Sequence, residues 1–502
     1  MAPADPEVST RAGRVRGRNE NGIAVFRGIP FAEPPIGQRR FQAPEPTVPW
    51  DGVREAKEFG PPSPQASMPA GSDGPPAAAP ADTGGWLTVN VWTPYPGADR
   101  LPVMVWIYGG AYMFGASSEP GYDGTPFAQA GAVFVSLNYR VGTEGFAQLP
   151  GAPANRGLLD AVAALTWIRE NIANFGGDPG NVTVFGESAG AGVIASLLAM
   201  DKAKGLFKRA IAQSVPGTFF ARDLAEDIAA AIAREAGLPN EFAALAGADP
   251  MHLVNAQNAV TARLKDFPQW GGVSLTITPF SPVIDGEVLP RSPWRALLGG
   301  AASDVELLTG HNRDEYRLFI ALAGKLGAIT EEEATVTLNA FAPGPDGPAA
   351  YRKAFPDADP SALYELVFSD WLFRMPSLHL AQAHAASGGR TFLYELAAQA
   401  PAGPFGACHA LDVPLVFGSV GEGLTEALFG PSLPAEYATL GDTMRREWLS
   451  FAATGDPGWP AYGTEHRTTR VYDLQPDELS YPEETSRRLW ERHQFDALRL
   501  SV

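Results

Sequence analysis

The sequence predicts an α/β fold, a mostly parallel central sheet with helices on both faces, and three observations carry that expectation. Apolar, β-branched runs recur along the chain with helical patterns between them, as a parallel sheet fed by crossover helices requires. One of these runs, Val182-Thr183-Val184-Phe185, passes through Gly186-Glu187-Ser188-Ala189-Gly190 into the Ala- and Leu-rich stretch from Ala191 to Met200. The chain has 502 residues, beyond the roughly 250 to 300 at which one core stops growing, so a sheet carrying large insertions is expected.

Taken in order, Arg14 to Pro30 reads as a small antiparallel hairpin turning at Asn19-Glu20-Asn21-Gly22, with Ile23, Val25 and Ile29 alternating beyond the turn. Gly60 to Gly85, rich in Pro, Gly and Ala and free of aromatic residues, reads as a long loop. It reads equally as a flexible surface loop or, since long loops in compact domains are often binding loops, as part of a pocket rim. Leu101 to Ile107 is a buried-strand run that ends in Tyr108-Gly109-Gly110-Ala111-Tyr112. Val305 to Gly310 and Thr391 to Tyr394 are further strands, Ala342 to Ala349 a second surface loop, and Ser377 to Ala386 an amphipathic helix. No internal repeat is visible, and residues 1–502 are read as one domain.

Chemistry enters at Ser188. A strand before and a helix after make its turn tight, and the flanking Gly186 and Gly190 leave room where a β-carbon would not fit. A serine hydroxyl becomes a nucleophile only with a base to take its proton, an acid to orient that base, and donors for the oxyanion. In enzymes that use such a turn the acid follows the serine and the histidine comes last.

Of the seven histidines, His252 and His311 come too early to follow such an acid. His379 and His384 fall in the predicted helix, and His466 and His493 have solvated neighbours such as Glu465, Arg467 and Arg492. His409 remains, in the loop Gly406-Ala407-Cys408-His409-Ala410 after the Thr391 to Tyr394 strand. Open sheets carry their chemistry at such strand ends. The acid is sought at the end of the Val305 to Gly310 strand, where Asp314 and Glu315 both offer a carboxylate; Glu315 is taken first and Asp314 held in reserve. Oxyanion donors are expected from the amide after the nucleophile, Ala189, and from the glycine-rich strand end Tyr108-Gly109-Gly110-Ala111-Tyr112.

With these parts assembled, the chain resembles the type-B carboxylesterase and cholinesterase-like family of α/β-hydrolases, in its bacterial carboxylesterase branch, from about Val15 to Tyr462. The shared strings are Phe26-Arg27-Gly28-Ile29-Pro30-Phe31-Ala32, Asn138-Tyr139-Arg140, Gly157-Leu158-Leu159-Asp160 and Asn174-Phe175-Gly176-Gly177-Asp178-Pro179. Pro282-Val283-Ile284-Asp285-Gly286 and Thr454-Gly455-Asp456-Pro457 continue the match. The resemblance implies an α/β-hydrolase fold, a nucleophile at Ser188, an acid at Glu315 and a base at His409. It further implies oxyanion donors at Gly110, Ala111 and Ala189, and a hydroxyl at Ser214 that helps hold the acid.

The chain also departs from the family. Gly84-Gly85-Trp86-Leu87 stands where relatives carry Glu-Asp-Cys-Leu, so their disulfide cannot form and Trp86 is not the aromatic that binds choline. Without aromatic residues in the preceding loop, a cation-binding face of stacked rings has no evident source there. Tyr316 replaces the glycine that commonly follows the acid and puts a bulky group near it.

One Cys excludes an internal disulfide and fits a reducing, cytoplasmic, bacterial setting. No signal peptide and no spanning apolar run is read, and a net charge of −18 repels nucleic acid and anionic lipid. Asn181-Val182-Thr183 matches a glycosylation string but lies in the strand feeding the turn and is read as structural. Cys408 is read as a small buried filler. No nucleotide fingerprint and no Cys/His metal spacing appears, so neither cofactor nor metal is expected.

The expected activity is a serine carboxylesterase that forms an acyl-enzyme on short to medium uncharged esters, aryl esters included. Aromatic walls are expected from Tyr112, Phe114, Phe219, Phe220 and Phe319. A lipase or a carbamate or amide hydrolase of the same fold is the alternative. A non-catalytic binding relative is remote, because Ser188, Glu315 and His409 are all present.

Overall fold

The computed structural model describes residues 5–66, 84–94, 96–97, 100–419 and 423–501. The strands Val133–Leu137, Leu101–Ile107, Gly177–Glu187, Arg209–Gln213, Glu306–Asn312, Thr391–Leu396 and Thr468–Tyr472 lie side by side in that spatial order, each parallel to the next. Antiparallel strands extend both edges. Thr88–Thr93, Ile23–Pro30 and Arg18–Glu20 lie beyond Val133–Leu137, and Asp477–Ser480 lies beyond Thr468–Tyr472, giving an 11-stranded sheet.

The sheet is mixed at its margins and parallel through its middle, with helices on both faces. That layering explains the composition of its strands. Thr88–Thr93, Val133–Leu137, Arg209–Gln213 and Thr391–Leu396 are buried along their whole length. Val133–Leu137 reads as a nearly continuous apolar run, while polar members of the others are paired inside, Asn90 Nδ2 donating to Ser136 Oγ at 3.0 Å and Gln213 Nε2 to Asp412 Oδ2 at 2.8 Å. The helices Arg156–Asn171, Ala189–Ala199, Met375–Ala386 and Ala435–Thr454 pack against the central strands.

Arg18–Glu20 and Ile23–Pro30 meet at a two-residue turn in which Asn21 and Gly22 both have positive φ, 53° and 86°. An Asn-Gly pair suits that geometry, whose twist matches the flanking strands. Two of the family strings meet in the interior: Arg140 donates through Nε and Nη2 to the carboxylate of Asp160 at 2.8 Å each. Both side chains are fully buried, and the pair ties the strand end after Val133–Leu137 to the helix Arg156–Asn171.

Three expectations need correction. The helix after the turn starts at Ala189, directly behind the serine. Ala342 to Ala349 is not loop throughout, because a helix, Gly347–Ala354, begins inside it with a proline in its first turn, where a missing N–H costs nothing. Met375–Ala386 is buried over most of its surface and not along one stripe, since it lies between the sheet and other helices. Most of the Gly60 to Gly85 loop, residues 67–83, is outside the described residues. Among the described residues no helix is long and apolar enough to cross a membrane.

Candidate active site

Ser188 joins the strand Gly177–Glu187 to the helix Ala189–Ala199 with φ 57° and ψ −124°. A non-glycine residue held there costs about 1–3 kcal/mol, and the surroundings must over-determine it. They do: Ser188 N–H donates to Gln213 O at 3.0 Å, and Ser188 O accepts from Gly192 N–H at 2.9 Å. A β-carbon on Gly186 would lie 2.4 Å from Ile107 O, and one on Gly190 2.0 Å from the same oxygen. The two glycines let the helix start and the neighbouring strand end meet at that carbonyl, which aims the hydroxyl out of the turn.

The structure brings the three sequence-predicted side chains into one line. Ser188 Oγ lies 2.8 Å from His409 Nε2, and His409 Nδ1 lies 2.6 Å from Glu315 Oε2. This geometry fits the tautomer in which Nδ1–H donates to the carboxylate and Nε2 accepts from the hydroxyl. Glu315 is fully buried, and its other oxygen, Oε1, accepts from Ser214 Oγ at 2.6 Å and from Asn312 N–H at 2.8 Å. Asp314 is not in this line. Its Oδ2 accepts from Ala407 N–H at 2.9 Å and its side chain is 17% exposed, so it braces the loop that carries His409 and is not a free surface acid.

One carboxylate in the site escaped the sequence reading although it lies inside the quoted motif. Glu187 Oε1 is 3.0 Å from His409 Nε2 and has no hydrogen-bond partner. Burial pushes the Glu187 carboxyl up to about 8, with the imidazole opposing that rise. Burial alone would lower the imidazole of His409, but the carboxylates of Glu187 and Glu315 outweigh it and raise the ring to about 9. Nearby Asp412, also buried, accepts from Gln213 Nε2 and Tyr394 OH at 2.8 Å each.

Two rings hold the imidazole. Phe373 stacks on His409 with centroids 4.1 Å apart and planes at 27°, and Phe319 lies at 5.3 Å and 39°. Phe373 belongs to a π-helical turn, Asp370–Arg374, that joins two α-helices. Such turns insert one residue into a helix and re-aim its neighbours, and no pattern in the sequence signals them. Tyr316 is 5% exposed and stacks on Phe368 at 4.0 Å and 5°. The bulky group beside the acid therefore fills the core behind it and does not line the cavity.

Above Ser188 lies a cavity of about 340 Å³ lined by Gly109, Gly110, Ala111, Ala189, Tyr112, Phe114, Phe220 and Phe319 among others. Gly110 and Ala111 have φ of 107° and 53°, and a β-carbon on Gly110 would lie 2.2 Å from Phe114 O. Ala189 is the first helical residue, so its N–H belongs to the set that a helix leaves without an internal partner. Phe219 does not line the cavity. It is fully buried and packs edge-on against Trp294 at 5.3 Å, because consecutive residues of an extended segment face opposite sides and Phe220 takes the cavity side. From the long loop, Gln65 exchanges hydrogen bonds with Gly115 O at 3.0 Å and Gly115 N–H at 2.8 Å, anchoring that loop behind the cavity wall.

A model of the carboxylesterase family matches residues 4–490 of the chain. The para-nitrobenzyl esterase of Bacillus subtilis (strain 168) is 38% identical over 499 residues, covering 96% of this chain and 97% of that protein. The phenmedipham hydrolase of Pseudarthrobacter oxydans is 32% identical, covering 91% and 93%. Among solved structures, a Geobacillus stearothermophilus carboxylesterase at pH 6.2 superposes with a TM-score of 0.83 at 35% identity, covering 96% of this chain and 99% of that one.

Proposed function

The chain belongs to the carboxylesterase family and is a carboxylic ester hydrolase, and from that premise we propose that it hydrolyses short to medium uncharged esters, aryl esters included, through an acyl-enzyme on Ser188. The observation that carries this reading is the unbroken line from Ser188 Oγ through His409 to Glu315, 2.8 Å and 2.6 Å, at the floor of a small apolar cavity.

In the first step Ser188 Oγ bonds to the ester carbon while His409 Nε2 takes its proton. The carbonyl oxygen becomes an oxyanion that the amides of Gly110, Ala111 and Ala189 receive. Glu315 keeps the ring oriented and stabilises the imidazolium. The tetrahedral adduct then breaks at the alcohol oxygen, which leaves with the proton from His409. Water repeats the sequence on the acyl-enzyme, with His409 again the base, and Ser188 is regenerated with release of the acid.

Substrate class is read from the wall. The described lining residues include Phe114, Phe220, Leu318, Phe319, Leu372 and Phe373 and no Lys or Arg. An ester bearing a carboxylate finds no Lys or Arg there and meets Glu119 and Glu187 in the wall, and a cavity of about 340 Å³ favours short acyl and alcohol groups over triglycerides. A bacterial cytoplasm is the setting we assign, in keeping with the single, buried Cys408.

The test is Ser188→Ala together with fluorophosphonate labelling and peptide mapping. The variant is expected to lose turnover by about a million-fold, and the label is expected on Ser188. Esterase activity retained by pure variant protein would overturn the proposal. A p-nitrophenyl ester series set against an aryl carbamate separates this reading from the lipase and carbamate alternatives.

A further inference from the structure

Resting on the reading above, we propose that Thr278 is a positioning residue for the oxyanion loop. The loop at Gly110 to Tyr112 is held in an unfavourable shape: φ is 107° at Gly110, 53° at Ala111 and 59° at Tyr112. Two of these residues carry β-carbons, so the conformation persists only if its peptide groups are tied down from outside.

Each carbonyl of the loop is tied. Gly110 O accepts from Met113 N–H at 2.9 Å and Phe114 N–H at 3.1 Å, and Tyr112 O accepts from Gly142 N–H at 2.6 Å. Ala111 O accepts from Thr278 Oγ1 at 2.9 Å. Thr278 supplies the one tie of the three that is made by a side chain, and it comes from a segment 167 residues away. Its hydroxyl is itself oriented, because Oγ1 accepts from Phe280 N–H at 3.1 Å. The single hydroxyl proton is thus directed at Ala111 O.

A carbonyl held on one side fixes the peptide planes next to it. Ala111 O lies in one peptide plane with Tyr112 N–H, so the bond from Thr278 sets ψ of Ala111 and, with φ held at 53°, orients the adjoining plane that carries Ala111 N–H. Preorganised donors contribute only if they face the developing oxyanion before it forms. Thr278 also lines the cavity, so the wall that meets substrate is the same one that holds the donors.

The experiment compares wild type, Thr278→Val and Thr278→Ser for kcat and KM on p-nitrophenyl butyrate and for inhibition by a trifluoromethyl ketone. The ketone accepts Ser188 Oγ at its carbonyl carbon and becomes an oxyanion, the serine proton passing to His409. Thr278→Val keeps the shape and removes the donor. It is expected to lower kcat about ten-fold and weaken ketone inhibition by the same factor, with KM within about two-fold, and Thr278→Ser is expected to restore both. An unchanged kcat in Thr278→Val, a rise in KM alone, or failure of Thr278→Ser to restore kcat would overturn the proposal. If the ketone leaves the wild-type enzyme uninhibited, the acyl-enzyme reading fails instead.

Discussion

Ser214 Oγ and Glu315 Oε1 are joined by a 2.6 Å hydrogen bond on the side of the carboxylate opposite His409. Both oxygens of the buried acid are therefore occupied, one by the base and the other by Ser214 and the Asn312 amide. A buried carboxyl group whose oxygens lack such partners is costly. Ser214→Ala removes one and leaves the amide, so kcat/KM is expected to fall about ten-fold. Glu315→Gln removes the charge that orients the ring and is expected to cost about 10⁴-fold in kcat, the scale seen when the acid of such a triad becomes an amide.

Asp314→Asn is the matched control. An asparagine oxygen can still accept from Ala407 N–H, the contact Asp314 makes at 2.9 Å. Activity is expected to stay within about ten-fold of wild type. Steady-state assays of the two variants side by side decide the acid, and the reverse order would transfer the role to Asp314.

The pH profile should carry the mark of Glu187. His409 acts as base only when neutral, and its ring is raised to about 9 with Glu187 beside it. Because Glu187 is itself raised to about 8, the two titrate as a pair and their protons leave in joint steps. Activity is expected to climb as pH rises toward the alkaline side. Glu187→Gln removes a negative charge that favours imidazolium, so the acid limb of kcat/KM is expected to move to lower pH. A limb that moves upward or stays in place would refute the coupling.

Gly190→Ala tests the turn. The new methyl group would lie 2.0 Å from Ile107 O, a backbone atom that cannot swing aside. Overpacking of this kind costs on the order of 1–3 kcal/mol, measured as a lower urea midpoint, and activity is expected to be lost with it. Gly247→Ala, where a β-carbon meets nothing within 4 Å, is expected to leave the midpoint nearly unchanged.

Cys408 should be silent in the native protein. It is fully buried, and burial pushes its thiol pKa well above the ordinary value, so the thiolate that reacts is scarce. Iodoacetamide is expected to leave activity untouched and to modify Cys408 only after denaturation, as peptide mass would report.

The sheet, the turn and the histidine loop are legible because their signals are local, apolar runs for strands, paired glycines for the turn, a loop at a strand end for His409, whereas spacing barely separates Glu315 from Asp314 and the family resemblance chooses between them. Contacts made across the fold are not legible. Phe373 reaches His409 only through a π-helical turn, and Thr278 meets Ala111 across 167 residues, so neither has a neighbour in sequence to betray it. Glu187 stands inside the glycine motif, but nothing in its local sequence signals its place, and only packing brings its carboxylate 3.0 Å from the base. Phe219 was misplaced for the opposite reason. Composition marks it as aromatic, while the face it takes depends on the alternation of the backbone.

Ser188, Glu315 and His409 follow the ends of Gly177–Glu187, Glu306–Asn312 and Thr391–Leu396, with Arg209–Gln213 between the first two in the sheet. The reacting atoms thus hang from three strands that, with Arg209–Gln213, are neighbours in the sheet, and a slip in any of the four spoils the alignment. Capacity to take up a fluorophosphonate is consequently a gauge of the whole scaffold. During a urea ramp it is expected to vanish together with the far-ultraviolet circular dichroism, not ahead of it.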